Sequence, residues 1–188
     1  MKFCRIPSRS PLLAAALLLA VLGAGCTFCR AGDSPSLESK VKAACILNFI
    51  RFTEWPSTDS KTEIVVGLLG DDPYEGALEQ ILSGQNVGGR KIIVRHYSSS
   101  SDVKGAQVIV VGITDGKTSQ DALEQVKNQP TLTIGESSAF LDEGGMIRLL
   151  KEDGKVRFEI NTSPAKFSHL TISSKLLSLA KGYHPKGD

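Results

Sequence analysis

Between Ala43 and Phe52 the chain is apolar except for Asn48 and Arg51, and the stretch closes on FIRFTEWP, which holds the only Trp. The spacing predicts a helix over residues 39–55. A helix apolar on nearly every side is buried or covered by a partner. Pro56 disfavours helical geometry at Trp55 and is expected to set the stop. Residues 63–70, EIVVGLLG, form a β-branched run of the length of one buried strand. Asp71-Asp72-Pro73 then offers a cap and a first-turn Pro for a helix reaching Leu82.

Gly88-Gly89 turns the chain, and residues 91–97 alternate as a second strand. Residues 98–102 are a serine-rich loop, 106–111 a largely apolar third strand, 119–128 a helix and 131–134 a fourth strand. A short helix is expected over 138–141. Strands over 146–150 and 156–160 flank KEDGK, whose Asp-Gly is a strong hairpin signal. Ser163-Pro164 restarts a helix, and another follows over 175–181 until Gly182. Strands alternating with helices predict an α/β fold: a single-domain layered sandwich, its mostly parallel mixed sheet covered by helices on both faces, with a C-terminal β-hairpin.

The amino-terminal residues change this picture. Lys2, Arg5 and Arg9 precede an apolar LLAAALLLAVL and then Gly23-Ala24-Gly25, the layout of a secretory signal peptide. The apolar run is short for a membrane span, which needs about 20 residues. The expected organisation is a signal peptide and cleavage region over 1–32, a flexible leader over 33–39, an α/β domain over 40–182 and a tail over 183–188. Export to the periplasm follows. Cys26, after the small residues, is a candidate lipidation site, although Gly23 stands where a lipoprotein signal prefers Leu. Removing residues 1–32 removes Lys2, Arg5, Arg9 and Arg30 and no acid, so the formal charge moves from +2 to −2. No basic run is left to bind nucleic acid. Cys26-x-x-Cys29 lies at the signal junction rather than in the strand-to-helix setting of a redox motif. The domain keeps only Cys45, which cannot form an internal disulfide.

The candidate chemistry is sparse. Gly70, Asp71 and Asp72 end the first long strand, where open α/β sheets bind ligands, so they form a candidate ligand loop. The glycines match neither a Walker loop nor a dinucleotide fingerprint, and a plain βα turn explains them as well. His96, His169 and His184 lack metal-ligand spacing, and no Gly-x-Ser-x-Gly elbow is present. Neither a metal nor any other cofactor is expected. Arg157, Glu159 and Asn161 alternate with Phe158 and Ile160, which places three polar side chains on one strand face. That face is either half-solvated or a polar network under a ligand or partner site. Glu54 and Trp55, at the helix end, are candidates for a partner or self-association surface, since a large amphipathic ring suits an interface.

Several segments together resemble one family. They are the stretch 43–56, then Leu132-Thr133-Ile134-Gly135-Glu136 with Phe140 and Gly144-Gly145-Met146-Ile147, then residues 156–161, and the closing stretch 170–180. In this order they are similar to the YfiR family of bacterial periplasmic regulators, over roughly residues 40–181. The resemblance implies a non-enzymatic protein that represses a membrane-bound diguanylate cyclase and so lowers cyclic-di-GMP signalling and biofilm formation. It further implies a homodimer, an outer-membrane lipoprotein that relieves repression, and sensor-kinase periplasmic domains as other partners. Family members with disulfides differ from this chain, whose domain holds a single Cys. The second reading is a periplasmic small-ligand sensor or carrier built on the loop at residues 70–73.

Overall fold

The computed structural model describes residues 34–56 and 61–184. The expected signal peptide and Cys26 lie outside them. The sheet grows from β-branched runs that bury both faces. Strand β2 (Glu63–Leu69) is buried at alternate positions and then continuously, and β5 (Val108–Val111) and β6 (Leu132–Gly135) are buried throughout. Such strands belong in a parallel sheet covered on both sides. With β4 (Arg90–Tyr97) and β7 (Ile147–Glu152) they pair in the order β4-β2-β5-β6-β7, all parallel. This is a doubly wound order, with the direction of winding reversing between β2 and β5.

Both edges are extended by hairpins. Strand β8 (Lys155–Asn161) returns antiparallel to β7 through Asp153-Gly154, both at positive φ, as a two-residue type I′ turn requires. Strand β3 (Asn86–Val87) pairs with β4 through Gly88-Gly89 in the same manner. The outermost strand, β10 (Gly182–His184), runs parallel to β8. The mixed, mostly parallel sheet thus has eight strands in the order β10-β8-β7-β6-β5-β2-β4-β3.

Helix α1 (Leu37–Arg51) and the short α2 (Ala77–Leu82) cover one face. Ala43, Ile46, Leu47, Phe49 and Ile50 of α1 pack into one core with Val66, Val110, Ile134 and Leu149 from four strands, and the Phe49 ring meets Phe158 edge-on at 4.9 Å. Helix α3 (Gly116–Val126) covers the other face with a smaller cluster that includes Leu69, Ile109, Ala122 and Phe140. Three short elements close the body: α4 (Thr162–Phe167), β9 (Thr171–Ile172) and the single turn α5 (Ser174–Leu177).

The structure corrects several expected boundaries. Helix α1 begins at Leu37, inside the expected leader, where the Ser36 side chain accepts the Ser39 N–H. It ends at Arg51, ahead of Trp55, so Pro56 is not its terminator. Thr53 Oγ1 donates to the Phe49 carbonyl at 2.8 Å. Thr53 and Glu54 form strand β1, antiparallel to β9 with Thr53 opposite Ile172. A tertiary strand pairing therefore stops the helix. Asp72 does not cap α2: its carboxylate accepts the N–H groups of Tyr74 and Gly76, fixing a turn, and the helix starts after Gly76 at φ 79°. Residues 138–141 make turns without a helix, α3 starts earlier than expected, behind the Asp115 cap, and the strand Gly182–His184 takes in the first two residues of the expected tail.

Candidate functional site

The carboxyl ends of the parallel strands carry the loop formed by Gly70, Asp71 and Asp72. Its backbone is already committed. The Gly70 N–H donates to Tyr97, Asp71 exchanges two hydrogen bonds with Ile113, and Gly112 donates to Leu69. Gly70 sits at φ 85°, and a Cβ there would meet the Ile113 carbonyl oxygen at 2.6 Å. These bonds tie β2 to the chain leaving β5 at the winding reversal, where a doubly wound fold opens its ligand crevice. With Asp72 holding the following turn, the loop keeps no converging set of free N–H donors.

Two cavities lie on the α3 face. The larger, about 270 Å³, lies between α3, the 141–144 turn and α4, with Phe167 at its edge 72% exposed. Its buried polar groups are satisfied. Thr133 Oγ1 accepts the Met146 N–H at 3.0 Å, and Asn161 donates to the Leu141 carbonyl while capping α4 at Ser163. Asn161 is thus a structural clamp at the cavity wall. Its neighbours on the same strand face behave differently. Glu159 pairs with Arg148 across the hairpin at 3.1 Å, both half-buried, and Arg157 is exposed. The expected polar trio divides into a cap, an ion pair and a solvated cation.

The smaller cavity, about 140 Å³, opens where β5 and β6 end. Val111 and Phe140 are its apolar walls, and Gly112 and Gly116 leave room. Ser119, 6% exposed, lines it, and the hydroxyl has no hydrogen-bond partner among the described residues. Glu136 lines it too. One carboxylate oxygen of Glu136 accepts from Lys42 at 2.8 Å, and the other is buried with no partner among the described residues. Behind Glu136 stands the Tyr74 hydroxyl, fully buried and short of normal hydrogen-bond geometry. Burial, and then the Glu136 carboxylate, push its pKa well above the ordinary phenol value, so it stays neutral. Lys42 also reaches Glu38 at 3.1 Å, and Glu38 pairs with Lys151 as well, so two cations serve the two acids.

Sequence reasoning singled out the loop at Gly70 to Asp72 and passed over Ser119, Glu136 and Tyr74. An acid directly after a short strand of small and apolar residues, as in LTIGE, is the one local feature of Glu136 in the sequence. Glu54 is exposed in β1. Trp55 is half-buried against the α1 core, with the Arg90 guanidinium carbon 5.3 Å from its ring centroid. Its indole N–H is buried without an acceptor among the described residues. Burial raises the pKa of the Cys45 thiol, which is the inert behaviour of a structural cysteine. Among the described residues no group of three His, Cys, Asp or Glu is placed to hold a metal ion, and no helix is long and apolar enough to cross a membrane.

Two solved structures match this chain. One is a conserved domain protein from Vibrio cholerae O1 biovar El Tor, with 15% identity and a TM-score of 0.48. The other is an ABC domain from Streptococcus pneumonia, in complex with L-Trp, with 11% identity and a TM-score of 0.50. Each comparison covers 78% of this chain, which spans 60% of the length of either protein. At such identity the second likeness speaks for the fold alone. No curated protein matches the chain. The family comparison reaches further, since the model described as YfiR/HmsC-like matches residues 39–181, from the first turn of α1 to the residue before β10. The chain belongs to the YfiR/HmsC-like family.

Proposed function

We propose that this protein is a non-enzymatic regulator that binds the periplasmic domain of a membrane-bound diguanylate cyclase and holds the enzyme inactive. The observation that carries this reading is the family match across residues 39–181. A protein that acts this way needs a folded binding surface and no reaction centre. The segment from Glu54 to Trp55 is the first candidate for that surface. It is pinned by the β1–β9 pairing, so a partner would meet it without an ordering cost. Export by the amino-terminal signal, with Cys26 as the candidate anchor, places the domain on the correct side of the membrane. A homodimer and an outer-membrane lipoprotein that relieves repression complete the proposed system. A sensor kinase is the other class of target.

The test is to tag the full precursor in its host, crosslink the envelope and identify what co-purifies, while measuring cyclic-di-GMP in a deletion strain. Recovery of a transmembrane cyclase and a rise in cyclic-di-GMP on deletion are the expected results. Unchanged cyclic-di-GMP with no signalling enzyme recovered overturns the reading. A well-folded Trp55→Ala protein is expected to lose repression. Full repression by that variant removes Trp55 from the surface.

A further inference from the structure

One edge of the sheet is left open by its own chain. Strand β3 covers β4 only at Arg90 and Lys91. The residues just before β3 extend that cover by one position, since Ile92 donates to the Gln85 carbonyl at 2.8 Å and accepts the Gly84 N–H at 3.2 Å. Beyond Ile92 the outer side of β4 has no partner among the described residues. The Tyr97 carbonyl accepts the Gly70 N–H, so Ile93, Arg95 and Tyr97 turn their backbone groups toward β2. Val94 and His96 turn theirs outward. Two N–H and two C=O groups are thus presented in a row, the template on which an extended peptide adds a strand.

Charge decides which strand fits. Strand β4 carries Arg90, Lys91, Arg95 and His96 and no acid. Glu79 of α2 engages His96. Arg95, between the two outward residues, is exposed and has no acid within ion-pair distance among the described residues. A second copy of this chain, docked antiparallel across a two-fold axis on Val94 and His96, would set Arg95 directly opposite its own counterpart, and like charges placed so are unfavourable. A charged edge residue guards against such self-pairing. The same guanidinium attracts a strand that brings a carboxylate to that position. In an antiparallel addition the residue facing Arg95 belongs to a non-hydrogen-bonded pair, with Cα atoms about 4.5 Å apart and side chains in close contact. Val94 is half-buried against the α1 core, so a β-branched residue suits the place opposite it.

We propose that the open edge of β4 binds an extended acidic segment of a partner protein by strand addition, its main chain held by Val94 and His96 and a carboxylate set against Arg95. The edge needs no cyclase to act in this way, so this site and the cyclase reading can fail separately.

The probe is the end-blocked peptide Thr-Thr-Glu-Val-Thr, titrated into the isotope-labelled, exported protein and followed through its backbone amide signals by NMR. Saturable shifts centred on the Val94 and His96 amides, with slowed hydrogen exchange at both, are expected at millimolar peptide. The same peptide, N-methylated at the residues on either side of its Glu, lacks the donors that reach the edge and should not bind. Lys in place of the Glu should weaken binding about tenfold. Arg95→Glu changes an exposed side chain, so the fold should persist while the preference reverses and the Lys peptide becomes the better ligand. No saturable shift at millimolar peptide overturns the proposal, as do shifts centred elsewhere. Equal binding of the N-methylated peptide, or an unchanged preference for Glu over Lys in Arg95→Glu, overturns it too.

Discussion

The two faces of the sheet are covered in different ways. On one, α1 and α2 lie over inward-facing residues of β2, β5, β6, β7 and β8, joined in a single core. On the other, α3 and irregular segments cover the middle of the sheet with a smaller cluster, and both of the cavities described above are on that side. The first face has a long, largely apolar helix running over many strands, and long contacts leave few gaps. The second has an eleven-residue helix and a series of turns, which cannot follow a twisted sheet as closely. Stability is concentrated on the α1 face, and room for a ligand is left on the α3 face.

The largest effect should come from the α1 face. Phe49 is 1% exposed and touches both the helix core and Phe158. Phe49→Ala should cost about 3–5 kcal/mol in a denaturant titration, the usual cost of truncating a buried aromatic. A loss below about 1 kcal/mol would mean that this face is not the main store of stability.

A smaller but sharper effect is expected across the sheet at Phe140. That ring fills the gap left by two glycines. A Cβ at Gly135 would come within 2.5 Å of it, and one at Gly145 within 2.2 Å. Gly145→Ala must push the ring or the turn, an overpacking cost of about 1–3 kcal/mol. An unchanged denaturation midpoint would show that the ring and the turn give way without strain.

The half-buried Arg148–Glu159 pair comes next. Replacing Glu159 with Ala leaves the buried Nε of Arg148, already without a partner among the described residues, with still less compensation. The expected loss is about 1 kcal/mol, since the pair is partly exposed. The same loss for Glu159→Gln would show that charge matters and shape does not.

The sequence announced the elements whose causes are local. Asp153-Gly154 between two β-branched runs names its own hairpin, and the apolar runs at 63–69 and 108–111 can only be buried strands. It was silent where the cause is tertiary. Nothing in FIRFTEWP shows that Thr53 and Glu54 will pair with Thr171 and Ile172, so Pro56 looked like the stop. Strand β10 has only three residues and exists because β8 offers an edge. The candidate ligand loop also has a tertiary partner that the sequence does not name. Gly70 to Asp72 sits where the fold class binds ligands, but its backbone is spent on Ile113, a partner visible only once β2 and β5 are adjacent. Ser119 and Glu136 meet across a cavity between a helix and a strand end, and neither has a neighbour in sequence that reveals the other.

The smallest expected effect compares how the two long helices begin. Helix α1 is capped by a neutral hydroxyl, Ser36, and α3 by a carboxylate, Asp115. The Thr118 N–H, and then its hydroxyl, hold Asp115 below its ordinary pKa. A carboxylate whose folded pKa is depressed contributes stability above its unfolded pKa, near 3.9, and loses it as pH falls through the lower folded value. Asn caps about as well as Asp but does not titrate. Wild type should therefore exceed Asp115→Asn slightly at neutral pH, through the charge-assisted bond and the helix dipole. The advantage should vanish as the solution is acidified below the ordinary Asp range. Glu38, likewise held low by Lys151 and Lys42, is present in both proteins and cancels in the difference. Urea titrations of the two proteins across that range measure the difference directly. A gap that stays constant with pH would mean that the α3 cap works by shape alone, and that the two helices start on the same terms.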